Sequence, residues 1–195
     1  MKPKKRMQIL KIAETLFNRF GIHRTGVDEI ARLADVAKGT IYNYFSNKDG
    51  LFRELVQEKI NIFEKMLESS VENIKDPIEK LRVIALGYLK ISIDNPFLSD
   101  KMLYGKYDEK IKEFLSEMEG KTQKMINKIL AGNDTIKMAA AEKKALVNTM
   151  LFTLKGMTDS IRERMEPVSI HSFEKDIDYL VRALLPNRFS EQNGG

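Results

Sequence analysis

Between Arg24 and Asp49 two short helical patterns meet with almost no linker, and no other stretch restricts the fold of this chain as tightly. Thr25 and Asp28 form a Thr-x-x-Asp capping pattern. Val27, Ile30, Ala31 and Ala34 then recur at i, i+3, i+4 and i+7, so one face of a short helix is committed to a core. Asp35, Val36 and Ala37 supply a turn, after which Gly39 opens a second short helix. Its Ile41 and Phe45, four apart, are spaced to pack back against the first helix together with Val36. Lys38, Thr40, Tyr42, Asn43 and Tyr44 are left facing outward. Hydroxyls, an amide, aromatic rings and one cation suit hydrogen bonding to DNA better than catalysis. The arrangement reads as a helix-turn-helix.

Helical periodicity continues on both sides. Ile9, Ala13, Leu16, Phe17 and Phe20 form the stripe of a first helix, with Gly21 as the residue beyond its end. That stripe is read as a third wall of the helix-turn-helix core. Downstream, Ser46-Asn-Lys-Asp49 offers a Ser-x-x-Asp cap, and Leu51, Phe52, Leu55, Val56, Ile60, Phe63 and Leu67 carry a long fourth helix over about 47–71. This helix is expected to link a head to a body.

The run from Thr25 through Ala31, followed by Val36-Ala-Lys-Gly-Thr-Ile-Tyr-Asn-Tyr-Phe-Ser-Asn-Lys-Asp-Gly-Leu51, resembles the DNA-binding domain of TetR-type (TetR/AcrR) transcriptional regulators. The resemblance extends from about Arg6 to Leu55. It implies that the helix from Gly39 to Phe45 enters the major groove, where Lys38 and Thr40 face base edges or nearby phosphates and Gly39 allows close backbone approach. A Tyr42 ring can touch a thymine methyl, and Asn43 has an amide that can pair with adenine. Tyr44, next to Phe45, reads either as part of this surface or as part of the core. Lys48 is expected on a backbone phosphate, as are Thr25 and the N-terminus of the helix that follows it.

Charge agrees with a polyanionic partner. Residues 1–60 hold 12 Lys and Arg against 7 Asp and Glu, whereas residues 61–195 hold 21 of each, so the formal +5 lies wholly in the first third. A basic surface there favours nucleic acid through counterion release. With no cysteine, and with His23 and His171 as the only histidines, the chain offers no disulfide, thiolate site or recognisable metal cluster. It also lacks a Gly-rich phosphate loop and a paired His, so no catalytic residue, cofactor or metal is expected. Polar residues interrupt Met7 to Glu14, which excludes a signal-peptide core, and no stretch reaches the roughly 20 apolar residues that span a bilayer. A cytoplasmic protein without membrane contact is expected.

The remainder reads as further helices. Asp76-Pro-Ile-Glu79 is a strong helix start, with Asp at N-cap and Pro at N1, and the helix runs to about Ile93. Residues 97–107 are irregular or weakly helical, a helix covers about Asp108 to Leu130 despite Gly120, and another covers about Met138 to Met165. A last helix begins near Ser169 or Ser172 and carries Phe173, Ile177, Leu180, Val181 and Leu184. So apolar a stripe needs a cover. Burial within the chain is one answer; the family resemblance implies another, a homodimer whose last two helices form a four-helix interface.

The fold is therefore expected to be all-α: a helix-turn-helix DNA-binding domain over 1–50, a helical effector-binding and dimerisation domain over 51–187, and a mobile tail over 188–195. The resemblance implies a repressor that binds a palindromic double-stranded DNA operator as a dimer and is released by a small-molecule effector. Tyr88, Met102, Tyr104, Phe114, Met118, Met125, Phe152 and Met157 form an aromatic and Met-rich inventory for an apolar or amphipathic effector. Met and aromatic stripes at helical spacing are more often core, and any single one of these residues reads first as core. An architectural DNA-binding protein without an inducer would use the same head.

Overall fold

The computed structural model describes residues 3–95, 108–132, 136, 138–163 and 168–185, and among these it is all-α. Among the described residues eight α-helices follow one another: α1 Pro3–Phe20, α2 Val27–Leu33, α3 Lys38–Phe45, α4 Lys48–Val71, α5 Pro77–Asp94, α6 Asp108–Ala131, α7 Ala140–Glu163 and α8 Glu174–Leu184. A 3-10 turn, Ile170–Phe173, leads into α8. The expected helices are all present, and α6 runs unbroken through Gly120. The irregular or weakly helical segment expected at 97–107 and the tail at 188–195 lie outside the described residues.

The chain packs as two units, one of residues 1–62 with 95–117 and the other of residues 63–94 with 118–195, so α4 and α6 each contribute to both. In the first unit α2 packs on α1 and on α3. Ile9, Leu10, Phe17, Ile22, Ile30, Ile41, Phe45, Leu51, Phe52 and Leu55 are buried there, and the Phe17 and Phe52 rings meet edge to face with centroids 6.3 Å apart. Polar links fasten the rim. Arg6 donates to the Glu54 carboxylate, and Lys59 Nζ lies 2.6 Å from Glu14 Oε1.

Helix ends in this unit follow backbone rules more closely than side-chain motifs. Gly21, at φ 78°, ends α1, with its N–H donating to the Phe17 carbonyl at 2.9 Å. Asp35, at φ 50°, ends α2 in a Schellman arrangement: Val36 N–H donates to Ala31 O (3.0 Å) and Asp35 N–H to Arg32 O (3.3 Å). The Thr25 cap is not made, because the N-cap of α2 is Gly26, without a side-chain cap bond. Thr25 is buried instead, its hydroxyl donating to the Gly21 carbonyl at 2.8 Å, and so stitches α2 to the end of α1. Ser46 does not cap α4 either. Asn47 does, its Oδ1 accepting from Gly50 N–H at 2.8 Å. Phe20 also departs from the expected stripe: it is 41% exposed, with Arg19 over its ring at 5.0 Å.

In the second unit α5 lies against α7 and α8, burying Leu81, Ile84, Ala85, Tyr88 and Leu89. Asp76 caps α5 as its sequence predicts, with Oδ1 accepting from Ile78 N–H at 3.1 Å. The apolar stripe of α8 divides in two. Phe173, Ile177 and Val181 are buried within the unit, whereas Leu180 and Leu184 are half-buried.

Candidate nucleic-acid interface

Helix α3 is held from behind by Ile41 and Phe45, which are fully or almost fully buried. Anchoring at four-residue spacing fixes its rotation. Lys38, Gly39, Tyr42 and Asn43 are consequently exposed and Thr40 is half-buried, so these five residues occupy the outward part of α3 as its periodicity predicts. Space around Gly39 is open: a Cβ added there meets nothing within 4 Å, so the backbone is accessible at that point.

Two sequence candidates sit differently. Tyr44 is half-buried, its ring tilted against Phe45 with centroids 5.8 Å apart, and its hydroxyl is enclosed with no hydrogen-bond partner among the described residues. It belongs on the core side of the two alternatives its sequence position allows. Thr25, buried and bonded inward, presents no hydroxyl to a phosphate. The first turn of α2 moreover carries Asp28 and Glu29, whose charges oppose a phosphate there.

The electrostatics of the outward face centre on Lys38. Its ammonium lies 2.9 Å from the carboxylate of Asp28 on α2, and this hydrogen bond raises the lysine above its ordinary pKa. Lys48, at the start of α4, has its Nζ 3.5 Å from the His23 carbonyl in the α1–α2 connection. Thus Lys38 opens α3, and Lys48, beyond the turn that follows α3, reaches back to the α1–α2 connection.

Gly50 holds this geometry and was not singled out by its sequence pattern. A Cβ there would lie 1.8 Å from the Phe45 carbonyl oxygen and 3.0 Å from its carbon, so only glycine lets the first turn of α4 close over the end of α3. Ser46, at φ 63°, makes the corner, and Asn47 N–H donates to Phe45 O at 2.7 Å. A Gly three residues inside a capped helix start is the signal that could have revealed the close approach.

The effector candidates are dispersed. Tyr88 and Met118 are buried in the second unit, Tyr88 with its ring edge-on to Phe63 at 6.3 Å; Phe114 is buried and belongs to the first. Met125 and Met157 are half-buried, and Met102 and Tyr104 lie outside the described residues. Phe152 contradicts its expected place, since it is 82% exposed on α7 and lines no interior of its unit. Met125 does line a cleft of about 670 Å³ within the second unit, with Val71, Ile129, Lys65, Lys80 and Lys128 among the surrounding residues. Among the described residues no helix is long and apolar enough to cross a membrane, and no cluster of three or more acidic or His residues could hold a metal ion.

Comparison with known proteins places this head. Residues 9–55 match the family model described as bacterial regulatory proteins, tetR family. The fatty acid metabolism regulator protein of Bacillus subtilis is 30% identical over 126 residues, covering 60% of this chain and 65% of that protein. The transcriptional regulator AcrR of Shigella flexneri is 32% identical over 134 residues, covering 67% of this chain and 60% of AcrR. The alignments thus span less than two thirds of either relative. In fold, the chain is similar to the fatty acid degradation regulator FadR of Bacillus halodurans, with TM-score 0.74 and 22% identity over 96% of this chain and 98% of that one. FadR of Bacillus subtilis, solved in complex with stearoyl-CoA, superposes with TM-score 0.70 at 19% identity, covering 90% of this chain and 96% of that one.

Proposed function

This chain belongs to the tetR family of bacterial regulatory proteins, and we propose that it is a repressor that binds a palindromic operator as a homodimer and is released by a long-chain acyl-CoA. The observation that carries the DNA half is the outward face of α3, where Lys38, Gly39, Tyr42 and Asn43 are exposed behind a fully anchored helix. Thr40 and Lys48 extend this surface, while Thr25 and Tyr44 support it from within. One head covers one half-site, so specific binding calls for two heads about one helical turn apart.

Support for a dimer comes from α7 and α8. Phe152 and Tyr179 are 82% and 77% exposed, the largest exposures among the big hydrophobic side chains described. On α7, Ala145, Thr149, Phe152 and Gly156 are all exposed and recur along one helical face, and Gly156 has open space where a Cβ would be. Small residues around one large aromatic suit close packing against a second copy of the same helix.

The acyl-CoA reading rests on the resemblance to the Bacillus subtilis regulator of fatty acid metabolism and to FadR solved with stearoyl-CoA. Its chemistry suits the cleft of the second unit. Val71, Met125 and Ile129 offer apolar surface to a tail, and Lys65, Lys80 and Lys128, partly offset by Glu68 and Glu72, offer charge to an anionic head. The test is selection of bound sequences from random duplex DNA, followed by titration of the selected duplex with stearoyl-CoA. A palindromic consensus whose complex dissociates on titration is the expected result. Uniform binding to all duplexes, unaffected by stearoyl-CoA, would instead indicate an architectural DNA-binding protein.

A further inference from the structure

Lys38 is the first residue of α3, the recognition helix, and a cation there is poorly placed for the helix itself. The N-terminal end of a helix carries partial positive charge, and the first turn of α3 contains no acidic residue to answer it. The answer comes from across the turn. Nζ of Lys38 sits 2.9 Å from Asp28 Oδ1 and 2.9 Å from Asp28 Oδ2, centred on the carboxylate.

This pair is not what fixes α2 against α3. Buried Ile30, Ala31, Ile41 and Phe45, with the Schellman bonds at Asp35, already do so. Lys38 and Asp28 are 47% and 75% exposed, and a pair so wetted contributes little to stability. It lies instead on the surface that carries Tyr42 and Asn43.

Resting on the reading that this face meets DNA, we infer that Asp28 is a specificity-determining residue that competes with DNA phosphate for Lys38. Non-specific duplex offers the head chiefly phosphates. To bind one, Lys38 must leave a carboxylate that also repels the incoming phosphate, so the non-specific complex is penalised. An ammonium has three N–H donors. With two directed at Asp28, one remains for a guanine O6 or N7 in the groove, a contact available only at a matching base pair. Asp28 thus holds Lys38 to the reading of bases.

The test compares wild type with Asp28→Asn, Asp28→Ser, Lys38→Met and the Asp28→Asn/Lys38→Met double variant. Each is titrated by anisotropy against random-sequence duplex and against a duplex selected by the wild type, over a salt series. Both Asp28 variants should bind random duplex about three- to fivefold tighter per head, with a salt slope steeper by about 0.9 per head. The selected duplex should gain less, so the specific-to-random ratio falls, and in the Lys38→Met background the Asp28 effect should vanish. Unchanged affinity for random duplex, an equal gain on both duplexes, or the same gain without Lys38 would each overturn the inference. Tyr42→Ala, measured alongside, separates the two layers. If Tyr42→Ala weakens binding while the Asp28 variants keep the wild-type ratio, only the role of Asp28 falls; if Tyr42→Ala and Lys38→Met both bind as wild type, α3 does not face DNA and the role of Asp28 falls with it.

Discussion

Lys59 Nζ lies 2.6 Å from Glu14 Oε1, tying α4 to α1 within the amino-terminal unit, and the two side chains are only 11% and 27% exposed. Such shielding separates this contact from the exposed ion pairs of the molecule. Removing one member leaves the other charge partly buried without its partner. Lys59→Ala should therefore lower the unfolding free energy by about 1–3 kcal/mol, and the Lys59→Met/Glu14→Leu pair by less than the single variant. Urea unfolding of the three proteins checks this. Equal stability of Lys59→Ala and wild type would show that water replaces the contact without loss.

Gly50→Ala tests the corner that presents α3. Its Cβ would overlap the Phe45 carbonyl, and a main-chain oxygen cannot rotate aside as the end of a side chain can. The Asn47 cap at the same corner is strained with it. A loss of about 1–3 kcal/mol or more is expected, with a lower melting temperature and weakened DNA binding. Gly87→Ala is the control, because its closest contact is the mobile end of Met66 at 2.9 Å. Similar melting temperatures for the two variants would remove the special role of Gly50.

Helix existence and the outward face of α3 were legible because apolar spacing records burial directly: Ile41 and Phe45 had to point inward, so Lys38, Tyr42 and Asn43 had to point out. Caps were less legible. Thr25 and Ser46 satisfy capping patterns, yet Gly26 and Asn47 hold the positions: tertiary packing draws Thr25 into the core, and Ser46, at φ 63°, makes the corner one residue before the cap. The effector inventory was least legible. Tyr88, buried against Phe63, and Phe152, facing outward, carry the same aromatic signal, and only tertiary structure separates a core ring from an exposed one. Close approach at Gly50 depends on two helices meeting, which periodicity within either one does not encode.

Tyr42 and Lys48 should fail in different ways when removed. Tyr42 is 41% exposed on α3 and stands to lose a groove contact, whereas Lys48 is a cation at the start of α4 beside the His23 carbonyl. Tyr42→Ala is expected to cost about 1–3 kcal/mol per half-site with little change in salt dependence. Lys48→Ala should reduce the salt slope by about one per head and weaken binding to all sequences alike. Anisotropy over a salt series reads both quantities, and wild-type behaviour in either variant would remove that residue from the interface.

Phe152→Glu should convert the protein to monomers. An exposed ring at 82% accessibility costs nothing to replace within its own unit, so the variant should melt no lower than a folded wild-type monomer would. In a dry interface between copies, however, the carboxylate would be stranded. Sedimentation at micromolar concentration is expected to show a dimer for wild type and a monomer for Phe152→Glu, with operator binding lost. Ile177→Glu provides the contrast, because Ile177 is fully buried in its own unit and its replacement should unfold the chain rather than dissociate it. A dimeric Phe152→Glu would move the interface away from this face of α7.

The effector prediction rests on linkage. If stearoyl-CoA binds the free protein more tightly than the operator complex, operator DNA must weaken stearoyl-CoA binding by the same factor. A coupling of about 1–3 kcal/mol corresponds to about 5–150-fold in operator affinity, and the ligand should also raise the melting temperature of the free protein. Lys80 on α5 and Lys128 on α6 line the same cleft as Val71 and Met125, so Lys80→Glu/Lys128→Glu should weaken the anionic head's binding while leaving operator affinity without ligand unchanged. Calorimetry with stearoyl-CoA, free stearate and CoA separates contributions of head and tail. If stearoyl-CoA stabilises the protein yet leaves operator affinity untouched, the ligand site is not coupled to the heads; if the double variant binds it as wild type does, the ligand lies outside this cleft.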